Sequence, residues 1–102
     1  MEYTMKLIFS EKTDMAEMEN HVRNICQRAG SIILENKDNT ITYGADIYEE
    51  FGPAFMLLSF DEVVKNHVID AIWTDPDEGS HSCKKQLLKK IASCIIQSVD
   101  NR

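Results

Sequence analysis

The chain has 102 residues, 43% of them apolar and 27% charged, with a net charge of −6. That size and mix fit one soluble domain with a single buried core, and they exclude a disordered or low-complexity polypeptide. The longest fully apolar run, Ala54–Leu58, falls far short of the roughly 20 residues a membrane helix needs. The acidic balance speaks against nucleic acid or an anionic membrane surface as a partner.

Tyr3–Phe9 alternates, with Tyr3, Met5, Leu7 and Phe9 on one face and Thr4, Lys6 and Ile8 on the other. This predicts a first strand with one buried face. Asp14–Ala29 reads as a helix, because Met15, Met18, Val22, Ile25, Cys26 and Ala29 form one stripe. Asp14 followed by Glu17 suggests a capping box, with Thr13 as a rival N-cap. Arg28 suits the last turn, and Gly30 the left-handed position that ends many helices.

Ser31–Glu35 is a short apolar strand, and Asn36-Lys37-Asp38-Asn39 a polar turn. Thr40–Tyr48 alternates again, with Ile41, Tyr43, Ala45 and Ile47 on one face, so the two runs predict a hairpin. Phe51-Gly52-Pro53 reads as a second turn and Ala54–Phe60 as a strand covered on both faces. Asp61–Thr74 fits a helix capped by Asp61, with Val64, Val68, Ala71 and Ile72 as its stripe. The alternation of Val68, Asp70 and Ile72 keeps a strand open as the other reading. Asp75-Pro76 ends that element, since the residue before a proline avoids helical geometry. Asp75–Gly79 is an acidic loop. Ser80 or Ser82 then caps a last amphipathic helix reaching about Val99, with apolar Leu87, Leu88, Ile91, Ala92, Cys94, Ile95 and Val99.

The expected order is β-α-β-β-β-α-α, a single α+β domain over residues 1–102. It would be a two-layer sandwich of about four strands, mixed or mostly antiparallel, with helices packed on the sheet. The first two strands flank a helix, as in a crossover connection. Three cysteines, Cys26, Cys83 and Cys94, show no tight pairing and fit reduced thiols in a cytoplasmic protein. The start of the chain, with Glu2 and no long apolar stretch, does not read as a secretory signal.

Charge is distributed unevenly. Residues 38–78 hold ten carboxylates and one base, Lys65, for a local charge of −9; the remainder holds ten bases and seven acids, for +3. Many of the acids fall at element ends, where consecutive elements could bring them to one rim. Such a rim would imitate a phosphate backbone and attract a basic protein. The plainer reading is a set of solvated caps and loops with no common target. Tyr48, Phe51 and Trp73 lie beside the acids and could serve as apolar anchors or as core.

Other constellations are incomplete. The basic run Lys84–Lys90 is read as the solvated side of a core helix, its stems lying along apolar surface. Cys83 and Cys94 would stand roughly 16 Å apart on a helix, too far for a disulfide. His81-x-Cys83 has no second ligand pair for zinc, and Asp75–Gly79 lacks the ligand spacing of a calcium loop. There is no phosphate-binding glycine loop and no nucleophile elbow. The expectation is therefore no catalytic residues, no cofactor and no metal.

In its size, cysteine usage, acidic centre, lack of a catalytic signature and α+β pattern, the chain resembles bacterial immunity proteins, in particular those paired with contact-dependent growth-inhibition toxins. The resemblance spans the whole chain but rests on no motif, so it transfers no residue. It implies a one-to-one inhibitor that plugs or flanks the active site of a basic nuclease toxin. The expected electrostatic contacts are Asp46, Glu49, Glu50, Asp61, Glu62, Asp75, Asp77 and Glu78, with Tyr48, Phe51 and Trp73 as anchors. The alternative is a homo-oligomeric regulatory or adaptor domain, a homodimer for example.

Overall fold

The computed structural model describes residues 2–77 and 79–83. Its elements are β1 (Tyr3–Phe9), α1 (Met15–Ala29), β2 (Ile32–Lys37), β3 (Thr40–Ala45), α2 (Tyr48–Ser59), α3 (Glu62–His67), β4 (Val68–Asp75) and β5 (Gly79–Ser82). The strands form one antiparallel sheet in the order β2-β3-β1-β4-β5, with helices packed against it. This is the expected α+β class, with five strands in place of about four. β1 and β2 are parallel to each other, since each pairs antiparallel with β3 between them.

The sheet separates two environments by the period of two that every strand imposes. On the helix side lie Met5, Leu7 and Phe9 of β1, Ile41, Tyr43 and Ala45 of β3, and Ala71 and Trp73 of β4, all buried. The opposite side carries Thr4, Lys6, Thr40, Thr42, Ile72 and Thr74, none of them fully buried. α1 covers the core with Met18, Val22, Ile25 and Cys26, as its stripe predicts. Its caps also match: the Asp14 carboxylate accepts the Glu17 N–H at 3.3 Å, and Gly30 takes φ 89°. The Gly30 and Ser31 N–H groups then bond the free carbonyls of Gln27 and Cys26. The β2–β3 hairpin turns on Asp38 and Asn39, with φ of 52° and 61°. Asp and Asn are the side chains that tolerate this left-handed pair best after glycine.

Three expectations are corrected. The segment expected as a turn followed by a strand, Phe51–Phe60, is instead helical through Ser59, as part of α2. Phe51, Ala54, Phe55 and Leu58 are spaced 3, 1 and 3 apart, and all four are buried on one helical face. Pro53 lies in the second turn, where it gives up one helical hydrogen bond. Gly52 is needed there because Tyr48 folds across it; a Cβ at Gly52 would stand 2.7 Å from the tyrosine ring. Second, the helix expected over Asp61–Thr74 stops at His67, and β4 takes the rest. The Asp61 N-cap is as expected, accepting the Val64 N–H at 3.0 Å. Third, Ser80 and Ser82 belong to edge strand β5. The C-terminal helix expected as far as Val99 lies almost wholly outside the described residues.

Candidate functional site

Strand register decides which acids meet. β1 pairs Tyr3 with Ala45 and Thr4 with Thr74, while Asp75 pairs with Gly79. The Tyr3 end of the sheet therefore gathers Asp46, the first turn of α2 with Glu49 and Glu50, Asp75, and the β4–β5 turn with Asp77. Exposed Glu2 joins them. The C-terminal end of α1 arrives at this same end, because Ser31 Oγ donates to the Glu50 carbonyl at 2.7 Å. The Glu50 side chain lies directly against Gly30, where a Cβ would stand 2.7 Å from Glu50 Oε2.

Asp61 and Glu62 do not belong to this group. Phe9 pairs with Val68, and the Ser10 N–H bonds the His67 carbonyl at 2.9 Å, so α3 lies at the other end of β1. Seven residues of strand put the two ends about 20 Å apart at ~3.3 Å per residue. Asp38 also sits at the far end, in the hairpin turn, and Asp70 lies mid-strand, accepting Ser82 Oγ at 2.8 Å. Glu78 is outside the described residues.

The acids at the Tyr3 end differ in exposure. Asp46, Glu49 and Asp77 are exposed, Glu50 is half-buried, and Asp75 is buried and accepts the Asp77 N–H at 2.7 Å. Local structure explains part of their presence. The N-cap of α2 is Ile47, which offers no side-chain acceptor to the helix N–H groups. Carboxylates at Glu49 and Glu50 oppose the positive end of the α2 dipole instead. Ile47 is 50% exposed and stands among these acids.

Two of the three expected aromatic anchors, Phe51 and Trp73, are core residues. Phe51 and Trp73 are fully buried, and Tyr48 is half-buried. Phe51 stacks on Tyr43 at 5.6 Å, on Tyr3 at 5.7 Å and on Trp73 at 6.2 Å between ring centroids. Register explains this cluster: Tyr43 and Trp73 both flank Met5, and α2 lowers Phe51 between them. Tyr48 turns its ring edge toward Tyr3 at 5.9 Å. Ile47, which sequence periodicity grouped with Ile41, Tyr43 and Ala45 on one face of a strand, is the apolar side chain left exposed; the chain leaves the sheet after Ala45, and that break is invisible to a period-two reading.

A second feature spans 40 residues of sequence. His21 of α1 places Nε2 2.8 Å from both carboxylate oxygens of Asp61. Partial burial pushes the Asp61 carboxyl upward, but the Val64 N–H and the hydrogen bond and charge of His21 outweigh it. The net pKa lies below the ordinary aspartate value. Beside this pair, α1 and α3 bound an open groove of about 480 Å³ lined by Thr13, Glu17, Met18, His21, Val63 and His67, among others.

The two thiols among the described residues, Cys26 and Cys83, are both buried. Burial pushes Cys26 up to about 12 and Cys83 to about 11, so neither carries appreciable thiolate at neutral pH. Tyr43, buried near both, has its ionisation pushed well above the usual range by desolvation. Among the described residues no three His, Cys, Asp or Glu side chains converge as metal ligands, and no helix is long and apolar enough to cross a membrane. No protein-family model, curated protein or solved structure matches the chain.

Proposed function

We propose that this protein is a small acidic binding module that docks a basic protein through the Tyr3 end of its sheet. The observation that supports this is the convergence, from two separate chain segments, of exposed Asp46 and Glu49 with exposed Asp77 around exposed Ile47. A charged rim around an apolar centre favours fast, salt-sensitive association with a surface of opposite sign. In its particular form the reading is an immunity protein of the contact-dependent growth-inhibition type. It would act in the cytoplasm, without catalysis of its own, and neutralise a cognate basic nuclease toxin. Asp61 and Glu62 are not part of the docking end.

The test is capture from a lysate of the native cells at low and high salt, followed by nuclease assay of what is retained. Bait is the wild-type protein, the triple variant Asp46→Lys, Glu49→Lys, Asp77→Lys, or the control Glu62→Lys at the far end. The expected outcome is a stoichiometric basic nuclease, inhibited by the wild-type chain and the control and released by the triple variant. Retention by the triple variant equal to wild type would sink the docking end. A captured basic protein without nuclease activity would keep the module and remove the immunity reading.

A further inference from the structure

β2 is one border of the sheet, and its outer backbone groups pair with no strand among the described residues. Exposed edges of this kind invite another strand, and proteins usually blunt them by shortness, proline, charge or bulges. The two edges of this sheet differ. β5 is four residues, Gly79–Ser82, with no aliphatic side chain. β2 is six residues without proline, and two exposed aliphatics lie on it, Ile32 at 49% and Leu34 at 42%. A bulge at Leu34 and the exposed charges of Glu35 and Lys37 are its protections among the described residues.

We infer that β2 pairs antiparallel with β2 of a second copy of this chain, about a two-fold axis between Leu34 and Glu35. The strand is self-complementary in one register. In this register Ile32 faces Lys37 of the second copy, Ile33 faces Asn36, and Leu34 faces Glu35, so all six residues overlap. The faces also agree. Ile32 and Lys37 oppose Gly44 and Thr40 on the helix-free side of the sheet, and Ile33 and Asn36 oppose Tyr43 and Ile41 on the helix side. The bulge puts Leu34 and Glu35 together opposite Thr42, so they also match across the axis. No like charges stand directly opposite, which would weaken a strand pair. The Lys37 stem covers Ile32 of the other copy, the two Leu34 side chains meet along one diagonal across the axis, and the two exposed Glu35 side chains face along the other, where water screens them.

A two-fold contact of this type is closed: it uses both β2 edges and stops at a dimer. The product is a continuous ten-stranded sheet whose two Tyr3 ends point in opposite directions. Each copy keeps its acidic end clear of the new interface, so the dimer and the docking end stand or fall separately.

Sedimentation of the purified full chain over a wide concentration range tests the pairing. Wild type should shift from monomer to dimer and no further. Ile32→Lys combined with Leu34→Lys should remain monomeric with an unchanged thermal melt, since both side chains are already half in water. The triple variant at Asp46, Glu49 and Asp77 should dimerise as wild type does. Register has its own readout: oxidised Ile32→Cys, Lys37→Cys should form a covalent dimer on a non-reducing gel, and each single variant should not. A wild-type chain monomeric at every concentration would overturn the inference, as would a dimer that survives both lysines. The first result would leave the edge for a strand of a different protein, and the second would move the interface elsewhere.

Discussion

The two ends of the sheet carry the same kind of charge and use it differently. At the α3 end, Asp61 caps a helix and holds His21 with both oxygens, and Glu62 lies 3.4 Å from Lys65. Asp61 ties α1 to α3, and Glu62 pairs within α3. At the Tyr3 end, Asp46, Glu49 and Asp77 are exposed around Ile47, above buried Phe51 and buried Asp75, which accepts the Asp77 N–H. A high local density of acids is therefore not one property of the chain. Register divides it into an internal fastening and an outward surface, and substitutions at the two ends should separate the two roles.

The largest expected effect lies under the outward end. Phe51→Ala removes the ring that stacks on Tyr3, Tyr43 and Trp73 and should cost about 3–5 kcal/mol in denaturant unfolding. Had Phe51 been a partner anchor, the cost would fall on binding and spare stability. A loss below about 1 kcal/mol would break the assignment of Phe51 to the core.

Next comes the fastening at the other end. Asp61→Ala removes an N-cap and the partner of His21, for a loss of about 1–2 kcal/mol. Asp61→Asn keeps a good capping side chain and loses only the charge, so it should cost less. The pH dependence follows from the depressed pKa of Asp61. A carboxyl whose folded pKa lies below its unfolded value stabilises the fold above the unfolded pKa, near 4. That contribution disappears as pH falls through the folded value. Wild type should therefore lose stability more steeply than Asp61→Asn in the acid range below about pH 4. His21→Ala should raise the Asp61 pKa, which carboxyl-resolved NMR titration would read directly. An unmoved titration would mean that the cap alone holds the carboxylate.

How far the sequence discloses this arrangement depends on the range of the forces involved. α1 was legible because stripe, N-cap and left-handed glycine all agree between Asp14 and Gly30. The β2–β3 hairpin was legible because its turn chemistry is local. α2 was not, although Phe51, Ala54, Phe55 and Leu58 carry a helical period. Gly52-Pro53 is strong punctuation, and here a close contact with Tyr48 explains the glycine. The α3–β4 boundary was hidden because Val64, Val68, Ala71 and Ile72 fit a helical stripe. Pairing of β4 with β1 decided the matter, burying Ala71 and Trp73 and leaving Asp70 and Ile72 on the helix-free side. The acidic end was half legible: that acids would collect at element ends followed from the chain, but which ends coincide depends on register between residues 40 to 70 positions apart. His21–Asp61 had no sequence signal for the same reason.

The smallest effect is also the sharpest discriminator between the two ends. Glu49 and Glu62 each sit in the first turn of a helix, and both are exposed. Replacing either by Gln removes one favourable dipole contact, worth about 0.3–1 kcal/mol, and in the case of Glu62 a surface pair with Lys65 worth a few tenths. Unfolding measurements should therefore rank the two variants nearly equal, with Glu62→Gln marginally the worse. Association with a basic partner should rank them the other way. Glu49→Gln should slow binding at low salt, with the difference shrinking as the Debye length falls below about 10 Å, whereas Glu62→Gln, about 20 Å away, should change the rate little. Equal slowing by the two variants would mean that the partner responds to total charge and that the position of the acids on the fold is immaterial. Slowing confined to Glu49→Gln would assign the outward end its role through a change that leaves stability almost untouched.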